Sequence, residues 1–429
     1  MLTVAFLANE FPSPVERYVT DEIEELQGRG VRVVAGTVRR PGEKSSGAPE
    51  IVLQSLEARG LVRAAWLCIA RASRIAPFIQ RIAFGGNESS WQRVKAIAHT
   101  LLGAYYAAKL EGRGVDHIHV HHGYFGSWVG MVAARLLGLP FSMTLHGSDL
   151  LLRATYLDTK LEHSAFCRTI SEYNRQYVLQ HYPEVEPEKV LVLRLGVEVA
   201  EQAALPAACP KTKDDPLFLL AVGRLHPVKD HAFLLRACAN LVARDVAFHC
   251  YIAGEGPEHS RLESLIRTLG LEGWVTLLGH VPPARRNSLY AMADVVVLTS
   301  RSEGVPVVLM EAMVRGNIVL APAITGIPEL VIGGKTGFLY QPGSMDDFVV
   351  HLLLIRSLMQ GPEGAQQEFP AHRASAAQAL EGIRHAARVH VRQNFNRRKN
   401  LQLLAELFLQ RIAPQNESTL DESPLLQQI

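Results

Sequence analysis

A chain of 429 residues is longer than one ordinary hydrophobic core accommodates, so its length predicts two domains. Apolar residues make up 48% of the chain, charged residues 20%, and the formal net charge is +2. These values are typical of a soluble globular enzyme and give no reason to expect nucleic acid as a partner. The five cysteines form no Cys-x-x-Cys pair, which favours a reducing cytoplasm over a disulfide framework or a zinc site.

Short apolar runs alternate with helical patterns along the chain, and this alternation predicts parallel sheets covered by helices. No apolar run reaches the roughly 18–20 residues of a membrane-spanning helix. In the first half, five strands are predicted, in TVAFLA, RVVAGTV, HIHV, FSMTLH and VLVLRL. In the second half, five more are predicted, in LFLLAVG, FHCYIAG, VTLLG, DVVVLTS and NIVLAP. The chain is therefore expected to contain two similar α/β blocks.

A polar stretch interrupted by three prolines separates the two blocks. Beyond Gly343 the pattern becomes helical, and the final residues lack periodicity, as disordered tails do. The predicted organisation is an N-terminal α/β domain at 1–199, a linker at 200–216, a C-terminal α/β domain at 217–375, closing helices at 376–412 and a disordered tail at 413–429.

The segment 58–86 contains five arginines, no acid and many apolar residues, among them Trp66 and Phe78. Basic amphipathic helices of this kind can lie on anionic membrane surfaces, which would make the protein peripheral on the inner face of the cell membrane. The alternative is a pair of covering helices whose arginines face water.

Two acids, Glu303 and Glu311, lie on either side of a Gly-Val-Pro turn that follows a buried strand. Pro306 suits the first turn of a helix and Gly316 suits the position past its end, so a helix is predicted over 306–315. Ligands of open α/β sheets bind at the carboxyl ends of strands, where the N–H groups of helix N-termini suit phosphate oxygens. Two carboxylates that accept hydroxyl hydrogen bonds around such a turn suggest a sugar, a diphosphate and a ribose. The alternative is a helix-capping Glu303 and a surface Glu311.

Several motifs carry a resemblance to a known family. The stretch EGVPVVLMEAM resembles the E-x7-E signature of the retaining glycosyltransferases of family 4. AVGRLHPVKD, IAGEGPE, LLGHVP and APAITGIPELVIGGKTGFLYQPG are similar to the family's segments in the second half, and DHIHVHHGYFG and TLHGSDL to those in the first. The opening, LANEFPSPVERYVTDEIEEL, looks like a branch that acts in exopolysaccharide and colanic-acid-type assembly.

The resemblance implies the GT-B fold: two Rossmann-like, doubly wound parallel-sheet domains facing across a cleft, with a C-terminal helix returning to the N-terminal domain. It implies retaining transfer of a sugar from a nucleotide sugar, such as a UDP- or GDP-sugar, to an acceptor hydroxyl. A lipid-linked saccharide is the expected acceptor. No divalent metal is expected, since the chain has no Asp-x-Asp motif. An epimerase or hydrolase of nucleotide sugars, or a non-catalytic subunit of an assembly complex, are the alternatives.

The resemblance also implies roles for individual residues. Glu311 would bind the donor ribose, Glu303 the transferred sugar, and Arg224 and Lys229 the diphosphate. The other residues implied are Gly223, Gly304, Val305 and Val281 for the donor, His146 beneath the donor sugar, and His121 and Glu16 for the acceptor.

The sequence departs from the family pattern at several positions. Val15 replaces the usual serine beside Glu16, and Asp230 stands where glycine is commoner. Asn317 begins a pair that replaces Pro-Val, and Thr325 begins a segment that replaces Gly-Gly-x. None of these changes removes a charged catalytic group, so the protein is expected to be active. The changes put in doubt only which acceptor it uses.

Histidines alternate at His117, His119 and His121, so they are predicted to share one face of a strand. Together with His122 they raise the possibility of zinc, but no carboxylate or thiolate nearby in the sequence completes a site, and no metal is expected. For His121, a place in the acceptor cleft and a packed position in the strand both remain open.

Overall fold

A computed structural model describes residues 1–13, 16–40, 49–152, 154–199, 215–360 and 370–412. The chain divides into two compact units. The first unit contains Met1–Arg194 and the segment that begins at Arg398, and the second unit is Leu195–Arg397.

Seven parallel strands form the sheet of the first unit, in the order β3-β2-β1-β4-β5-β6-β7. They are β1 (Thr3–Glu10), β2 (Arg32–Arg39), β3 (Ile51–Val52), β4 (His117–His121), β5 (Phe141–Leu145), β6 (Phe166–Thr169) and β7 (Val190–Val192). The order reverses between β1 and β4, which makes the sheet doubly wound. Ligands of such sheets bind beyond the carboxyl ends of the strands at this reversal.

Eight helices accompany these strands along the chain. They are α1 (Arg17–Gly28), α2 (Ala58–Ala70), α3 (Ala72–Phe84), α4 (Ser90–Leu110), α5 (Phe125–Leu137), α6 (Ser148–Leu151), α7 (Leu157–Glu162) and α8 (Glu172–His181). A reciprocal capping box between Ser89 and Gln92 starts α4. Helices α4 and α5 pack closely because Gly103 has no side chain: a Cβ atom there would lie 2.7 Å from Cβ of Val132.

Buried histidines line one face of β4, as predicted. His117 and His119 both hydrogen bond Ser142 Oγ, at 2.6 and 2.8 Å, and His119 also bonds Thr144 Oγ1 at 3.0 Å. The parallel register places Ser142 and Thr144 on β5 opposite His119 and His121. Because an unpaired buried polar group is costly, the hydroxyls of β5 explain how the strand keeps its imidazoles inside.

The sheet of the second unit has six parallel strands in the order β10-β9-β8-β11-β12-β13. They are β8 (Leu217–Val222), β9 (Phe248–Ala253), β10 (Val275–Gly279), β11 (Val295–Val297), β12 (Ile318–Pro322) and β13 (Phe338–Tyr340). The helices are α9 (His231–Val242), α10 (His259–Thr268), α11 (Pro283–Met292), α12 (Val307–Val314), α13 (Ile327–Leu330), α14 (Met345–Gln360) and α15 (Pro370–Asn394). This order reverses between β8 and β11.

The last described helix, α16 (Arg397–Ile412), belongs to the first unit. Its Phe408 ring packs 5.9 Å from the ring of Phe6 and 5.6 Å from that of Phe166, and Leu404 beside it is fully buried. The predicted return of the C-terminal helix is therefore confirmed. The segment predicted as closing helices is divided, since α15 belongs to the second unit.

All ten predicted strands are present, and the helix predicted over 306–315 is α12. Three short strands were missed, β3, β6 and β13, which have two, four and three residues. Strands β7 and β11 have only three residues each but were predicted, because they lie within longer apolar runs of the sequence. The charge of Arg168 also interrupts the apolar pattern of β6. Most of the linker predicted at 200–216, and the whole tail predicted at 413–429, lie outside the described residues.

The segment 58–86 forms α2 and α3, but most of its arginines do not simply face water. Four of them hold neighbouring groups: Arg63 bonds Glu111, Arg71 and Arg74 bond the carbonyl oxygen of Leu136, and Arg81 bonds Glu88 and Asp158. Arg63 and Arg74 are nonetheless exposed, as the covering-helix alternative expects, whereas Arg71 and Arg81 are only partly exposed. No helix in the described part of the chain is both long enough and apolar enough to cross a bilayer.

A buried ion pair crosses the core of the first unit. Arg168 on β6 donates to Glu22 on α1, and both side chains are almost fully covered. Burial alone would raise the pKa of Glu22, but the charges of Arg168 and His121 lower it to about 2. The carboxylate is therefore ionised in the folded protein at neutral pH.

We predict that Glu22→Gln lowers the free energy of unfolding at pH 7 by about 3–5 kcal/mol, because it leaves the Arg168 charge buried without its partner. Urea titration measures this loss. The matched control is Glu25→Gln on the same helix, whose partly exposed pair with Arg29 should contribute about 0–1 kcal/mol.

The pH dependence of the same pair has a definite sign. The folded pKa of Glu22, about 2, lies below its ordinary value of 4.5, so its contribution is present above pH 4.5 and is lost as the pH falls towards 2. Glu22→Gln should lack this part of the acid-induced loss. Equal effects of the Glu22 and Glu25 variants would contradict the assignment.

Candidate active site

Two loops of the second unit meet where its strand order reverses. The loop after β8 carries Lys229, and the loop after β11 carries Glu303. Lys229 Nζ donates to Glu303 Oε1 at 2.5 Å, and Ser300 Oγ is 2.5 Å from the same oxygen. The Lys229 and Glu303 side chains are only 17% and 12% exposed, so this charge-assisted contact is shielded from bulk water.

Further hydrogen bonds tie these two loops together. Arg301 Nε donates to Asp230 Oδ2 at 2.7 Å, and the Arg301 backbone N–H donates to Val228 O at 2.8 Å. Thr299 Oγ1 donates to the carbonyl oxygen of Lys229 at 3.0 Å. The positions of Lys229 and Glu303 are therefore determined jointly.

A third loop, after β12, supports the backbone of the Glu303 loop. Thr325 Oγ1 donates to Glu303 O at 2.6 Å. Gly326 lies so close that a Cβ atom there would be 2.7 Å from Gly304 O. Val305 is buried beside these residues and leads directly into α12. Gly304 and Val305 thus lie next to a helix N-terminus, where the first N–H groups have no intrahelical acceptor.

Glu311, on α12, belongs to a second polar cluster. Tyr290 Oη donates to Glu311 Oε2 at 3.0 Å, and Arg286 Nη2 lies 3.5 Å from Oε1. Burial, with the charge of Glu311, raises the pKa of Tyr290 well above its usual value. The tyrosine therefore stays protonated and donates to the carboxylate. The predicted alternative of Glu311 as a simple surface residue does not describe a side chain that is 18% exposed.

The other predicted donor residues lie at neighbouring strand ends. Gly223 borders the Lys229 side chain: a Cβ atom there would be 3.7 Å from Lys229 Cδ. Its carbonyl oxygen is also approached so closely by Gly254 that a Cβ on Gly254 would lie 1.8 Å away. Arg224 follows Gly223 and is exposed, and Val281 is partly buried in the loop after β10.

In the first unit, polar side chains gather beyond the ends of β1, β4 and β5. Glu16 Oε1, just before α1, lies 3.0 Å from His122 Nε2, and Asp149 Oδ2 lies 3.7 Å from His122 Nδ1. His121 Nδ1 lies 3.3 Å from His146 Nε2. The structure thus brings the three residues predicted from the first half into one cluster, at the reversal of this sheet.

Two histidines of this cluster differ in charge. Burial opposes the charging of His122, but Asp149 and Glu16 raise its pKa to about 9. Burial, followed by the charges of His122 and His121, holds the pKa of His146 well below its usual range. A cationic His122 therefore lies beside a neutral His146, with ring centroids 4.4 Å apart. Asp149 keeps its charge by accepting from the backbone N–H groups of Gly123, His146, Gly147 and Leu150.

The His121 side chain is fully covered and lies 3.3 Å from Glu22 Oε2, so it is a packed strand histidine. The fold also brings carboxylates that are distant in sequence, Glu16 and Asp149, beside His122. Among the described residues, nonetheless, no group of three or more His, Cys, Asp or Glu side chains is arranged to hold a metal ion.

Comparison with known families connects these two clusters to one protein class. A model described as "Glycosyl transferase 4-like domain" matches residues 15–196, and one described as "Glycosyl transferases group 1" matches residues 208–367. The chain therefore contains two consecutive glycosyltransferase domains, one of the 4-like family and one of group 1.

Individual relatives agree with this assignment. WcaL of Salmonella typhimurium, named as a colanic acid biosynthesis glycosyltransferase, is 32% identical over 52% of this chain and 51% of its own, so the chain spans about half the length of that relative. AmsK of Erwinia amylovora, an amylovoran biosynthesis glycosyltransferase, is 28% identical over 66% of this chain and 72% of its own. The structure of Anabaena HepE with UDP and glucose is 19% identical, covers 96% of this chain and 100% of its own, and has a TM-score of 0.65. That likeness shows the GT-B fold.

Two departures of this glycosyltransferase from the family pattern are explained by new hydrogen bonds. Asp230 adopts φ of +45°, a conformation that suits glycine, but its side chain caps α9 at Phe233 N and binds Arg301. Thr325 adopts φ of +46°, and its hydroxyl holds Glu303 O. Each side chain thus contributes a contact that glycine would lack.

A third departure supports the Glu311 cluster of the glycosyltransferase. Buried Asn317 donates to Tyr290 O at 2.7 Å and to Ala293 O at 2.9 Å. These carbonyl groups belong to the end of α11, where a helix lacks intrahelical donors. Asn317 therefore stabilises the end of the helix that presents Tyr290 and Arg286 to Glu311.

Sequence reasoning on the glycosyltransferase missed several members of both clusters. Asp149 lies in the motif TLHGSDL and His122 in the motif DHIHVHHGYFG, so both residues could have been predicted as site residues from these motifs. Tyr290, Arg286 and Arg301 had no local signal, because their partners lie 21 to 71 positions away.

We predict that His122→Asn removes a pH-dependent part of the stability of the first unit. The folded pKa of His122, about 9, lies above its ordinary value of 6.5, so its contribution is full below pH 6.5 and is lost as the pH rises through 9. Unfolding titrations from pH 6 to 10 should show a difference between wild type and variant of about 2–4 kcal/mol that vanishes at the alkaline end. Asparagine tolerates the φ of +72° at this position.

Subtracting the unfolding free energy of the variant from that of the wild type at each pH isolates the contribution of His122. Other groups that titrate in this range contribute equally to both proteins; one is Lys160, whose pKa is lowered by burial to about 7. Glu16→Gln, which removes one of the two carboxylates, should give an intermediate result. A constant difference across this pH range would contradict the charged state assigned to His122.

Proposed function

We propose that the chain is a retaining glycosyltransferase that moves a sugar from a nucleoside diphosphate sugar to an acceptor hydroxyl. The observation that carries this proposal is the contact between Lys229 and Glu303 at the sheet reversal of the second unit. A cation that could bind phosphate and a carboxylate that could bind hydroxyls thus lie side by side near the N-terminus of α12, and this juxtaposition supports the proposal. Hydrogen bonds from Thr299 and Arg301 hold together the two loops that carry this contact.

In this proposal, the donor binds along the carboxyl ends of β8, β11 and β12. Lys229 and Arg224 bind the diphosphate, and the backbone at Gly304 and Val305 holds phosphate and sugar. Glu303 accepts from sugar hydroxyls once the diphosphate competes for Lys229. Glu311 accepts from the ribose hydroxyls, held in place by Tyr290 and Arg286.

The proposed reaction breaks the bond between the anomeric carbon and the diphosphate oxygen and forms one to the acceptor oxygen on the same face. The acceptor hydroxyl proton moves to the departing phosphate. Lys229 and Arg224 stabilise the charge of the leaving group, the kind of electrostatic contribution that usually dominates catalysis. In the first unit, neutral His146 can donate or accept a hydrogen bond without adding charge, which is compatible with the role that the family resemblance implies for it.

The acceptor proposed for the first unit is a lipid-linked saccharide of exopolysaccharide, capsule or lipopolysaccharide assembly, at the inner face of the cell membrane. Glu16, acting beside His122, is the candidate for an acceptor hydroxyl. The names of WcaL and AmsK, both exopolysaccharide glycosyltransferases, support this class of product, and the UDP and glucose bound to HepE support a UDP-sugar donor.

A donor screen tests the proposed function directly. The protein is incubated with UDP- and GDP-sugars, with and without lipid-linked saccharides, and products are identified by mass spectrometry and by the anomeric coupling in NMR. Transfer with retained configuration is expected. Epimerised or rapidly hydrolysed donor in the absence of acceptor would identify an epimerase or hydrolase instead, and the absence of any turnover would favour a non-catalytic subunit.

We predict that Glu311→Gln weakens donor binding by roughly ten- to a hundredfold, because a hydrogen bond to a charged group contributes about 1.5–3 kcal/mol. Isothermal titration with UDP measures this effect in the absence of an acceptor. Glu272→Gln, at an exposed position of the same unit, is the matched control and should bind normally. Wild-type affinity in the Glu311 variant would remove this residue from the donor site.

Lys229→Ala should lower turnover by about 10²–10³-fold, with a smaller effect on donor affinity, because the lysine opposes charge that develops in the transition state. Lys335→Ala, an exposed lysine of the same unit, is the control. A chelator should leave wild-type turnover unchanged if protein cations alone meet the diphosphate. Loss of activity with chelator, restored by magnesium or manganese, would overturn the metal-independent part of this proposal.

A further inference from the structure

Helices α2, α3 and α4 present an unusual amount of apolar side chain to solvent. Nineteen large hydrophobic side chains are exposed in the described part of the chain, and ten of them lie on these three helices. They are Leu61, Val62, Trp66, Ile69, Ile79, Phe84, Trp91, Val94, Ile97 and Leu101. Scattered exposed apolar residues need no explanation, but a concentration on three consecutive helices indicates a binding surface.

The exposed residues follow helical spacing, so they form stripes. Val62, Trp66 and Ile69 share one face of α2, and Val94 and Leu101 share one face of α4. The opposite faces supply buried residues to the core of the first unit, including Leu67 on α2, Phe78 on α3 and Ala96 on α4. Helices that are apolar on two faces are typical of segments that are covered on both sides.

The charge on these helices is positive throughout. Glu88 is the only acid between residues 58 and 101, and it is held by Arg81. Arg59 and Lys95 are exposed among the apolar residues, and Lys95 lies 5.1 Å from the ring of Trp91. The surface therefore combines apolar stripes, two tryptophans and exposed cations, without a free carboxylate to repel an anionic surface.

We propose that this outward face of α2, α3 and α4 docks on an anionic lipid bilayer. The apolar stripes enter the boundary between headgroups and acyl chains, Trp66 and Trp91 lie at headgroup level, and Arg59 and Lys95 meet lipid phosphates. The apolar side chains carry the affinity. Arg63, Arg71, Arg74 and Arg81, which the sequence marked as the membrane-binding groups, instead hold the helices in place through intramolecular bonds.

The proposed membrane docking does not depend on the proposed sugar transfer, so an experiment can contradict one proposal without contradicting the other. Vesicle flotation, which needs neither donor nor acceptor, tests it in the full-length chain. The probe is a vesicle of phosphatidylglycerol and phosphatidylethanolamine, compared with one of phosphatidylcholine alone. The test variant carries Ile69→Ser, Phe84→Ser and Trp91→Ser, which change side chains that are 80%, 89% and 65% exposed. The matched control carries Val350→Ser and Leu354→Ser, exposed apolar residues of α14.

The wild type and the α14 control should float with the anionic vesicles, and the test variant should partition at least about tenfold more weakly, because apolar burial drives the binding. Binding to the neutral vesicles should be weaker than to the anionic ones. No flotation of the wild type, or equal flotation of wild type and test variant, overturns the proposal. A wild-type dimer that the test variant dissociates, without flotation, overturns it in favour of self-association.

Tryptophan fluorescence provides a second measurement. Trp66 and Trp91 are exposed, whereas Trp128 is buried and Trp274 is partly buried. Anionic vesicles should therefore shift the wild-type emission to shorter wavelength, and the double variant Trp66→Phe and Trp91→Phe should float but show no shift. A shift that persists in that variant would contradict the proposed orientation, in which Trp66 and Trp91 face the bilayer.

Arg71→Gln should lower the stability of the protein, because the hydrogen-bond partners of Arg71 are intramolecular. Flotation of the folded variant should stay within about twofold of wild type.

Discussion

A lysine and a glutamate that are 74 positions apart meet where the sheet of the second unit reverses its order, and much of that unit is arranged around their contact. Strands β8 and β11 are neighbours in space although two strands intervene in sequence, so the loops that follow them are forced together. Asp230, Arg301 and Thr299 then join the two loops, and Thr325 supports the Glu303 loop from a third strand end. The pair satisfies both charges in the free protein. In the proposed reaction, the donor diphosphate replaces the Glu303 carboxylate as the partner of Lys229.

The first unit buries many ionisable groups inside its α/β core, and each of them needs a partner. Its β4 strand buries imidazoles that the hydroxyls of β5 hydrogen bond, and Glu22 balances Arg168 across the core. At the carboxyl ends of the same strands, His122 gains two carboxylates while His146 is kept neutral. The same low-dielectric surroundings that make unpaired charge costly thus set adjacent histidines to different charge states.

Residues with side chains at two positions where the family pattern favours glycine show how local backbone strain is offset near the proposed donor site. Asp230 and Thr325 both adopt positive φ, which is unfavourable for residues with a Cβ atom. Both occupy positions where the side chain reaches a loop that carries Lys229 or Glu303. Asn317 acts similarly at the end of α11, behind Tyr290. These contacts stabilise the geometry of the site, and none of them replaces a group that would touch the donor.

The sequence by itself determined the features that depend on neighbouring residues. Ten strands and the helix that carries Glu311 follow from apolar periodicity and from Pro and Gly at helix ends. Strand β6 escaped prediction because Arg168, whose partner is on α1, breaks its apolar pattern. Only the tertiary structure decided which charges meet: Lys229 with Glu303, Tyr290 with Glu311, and His122 with both Glu16 and Asp149. It also decided that four of the five arginines in segment 58–86 bind intramolecular partners while Trp66 and Trp91 face solvent. The reason is physical: periodicity records which face of an element is covered, whereas the partner of a buried charge depends on which strands become neighbours.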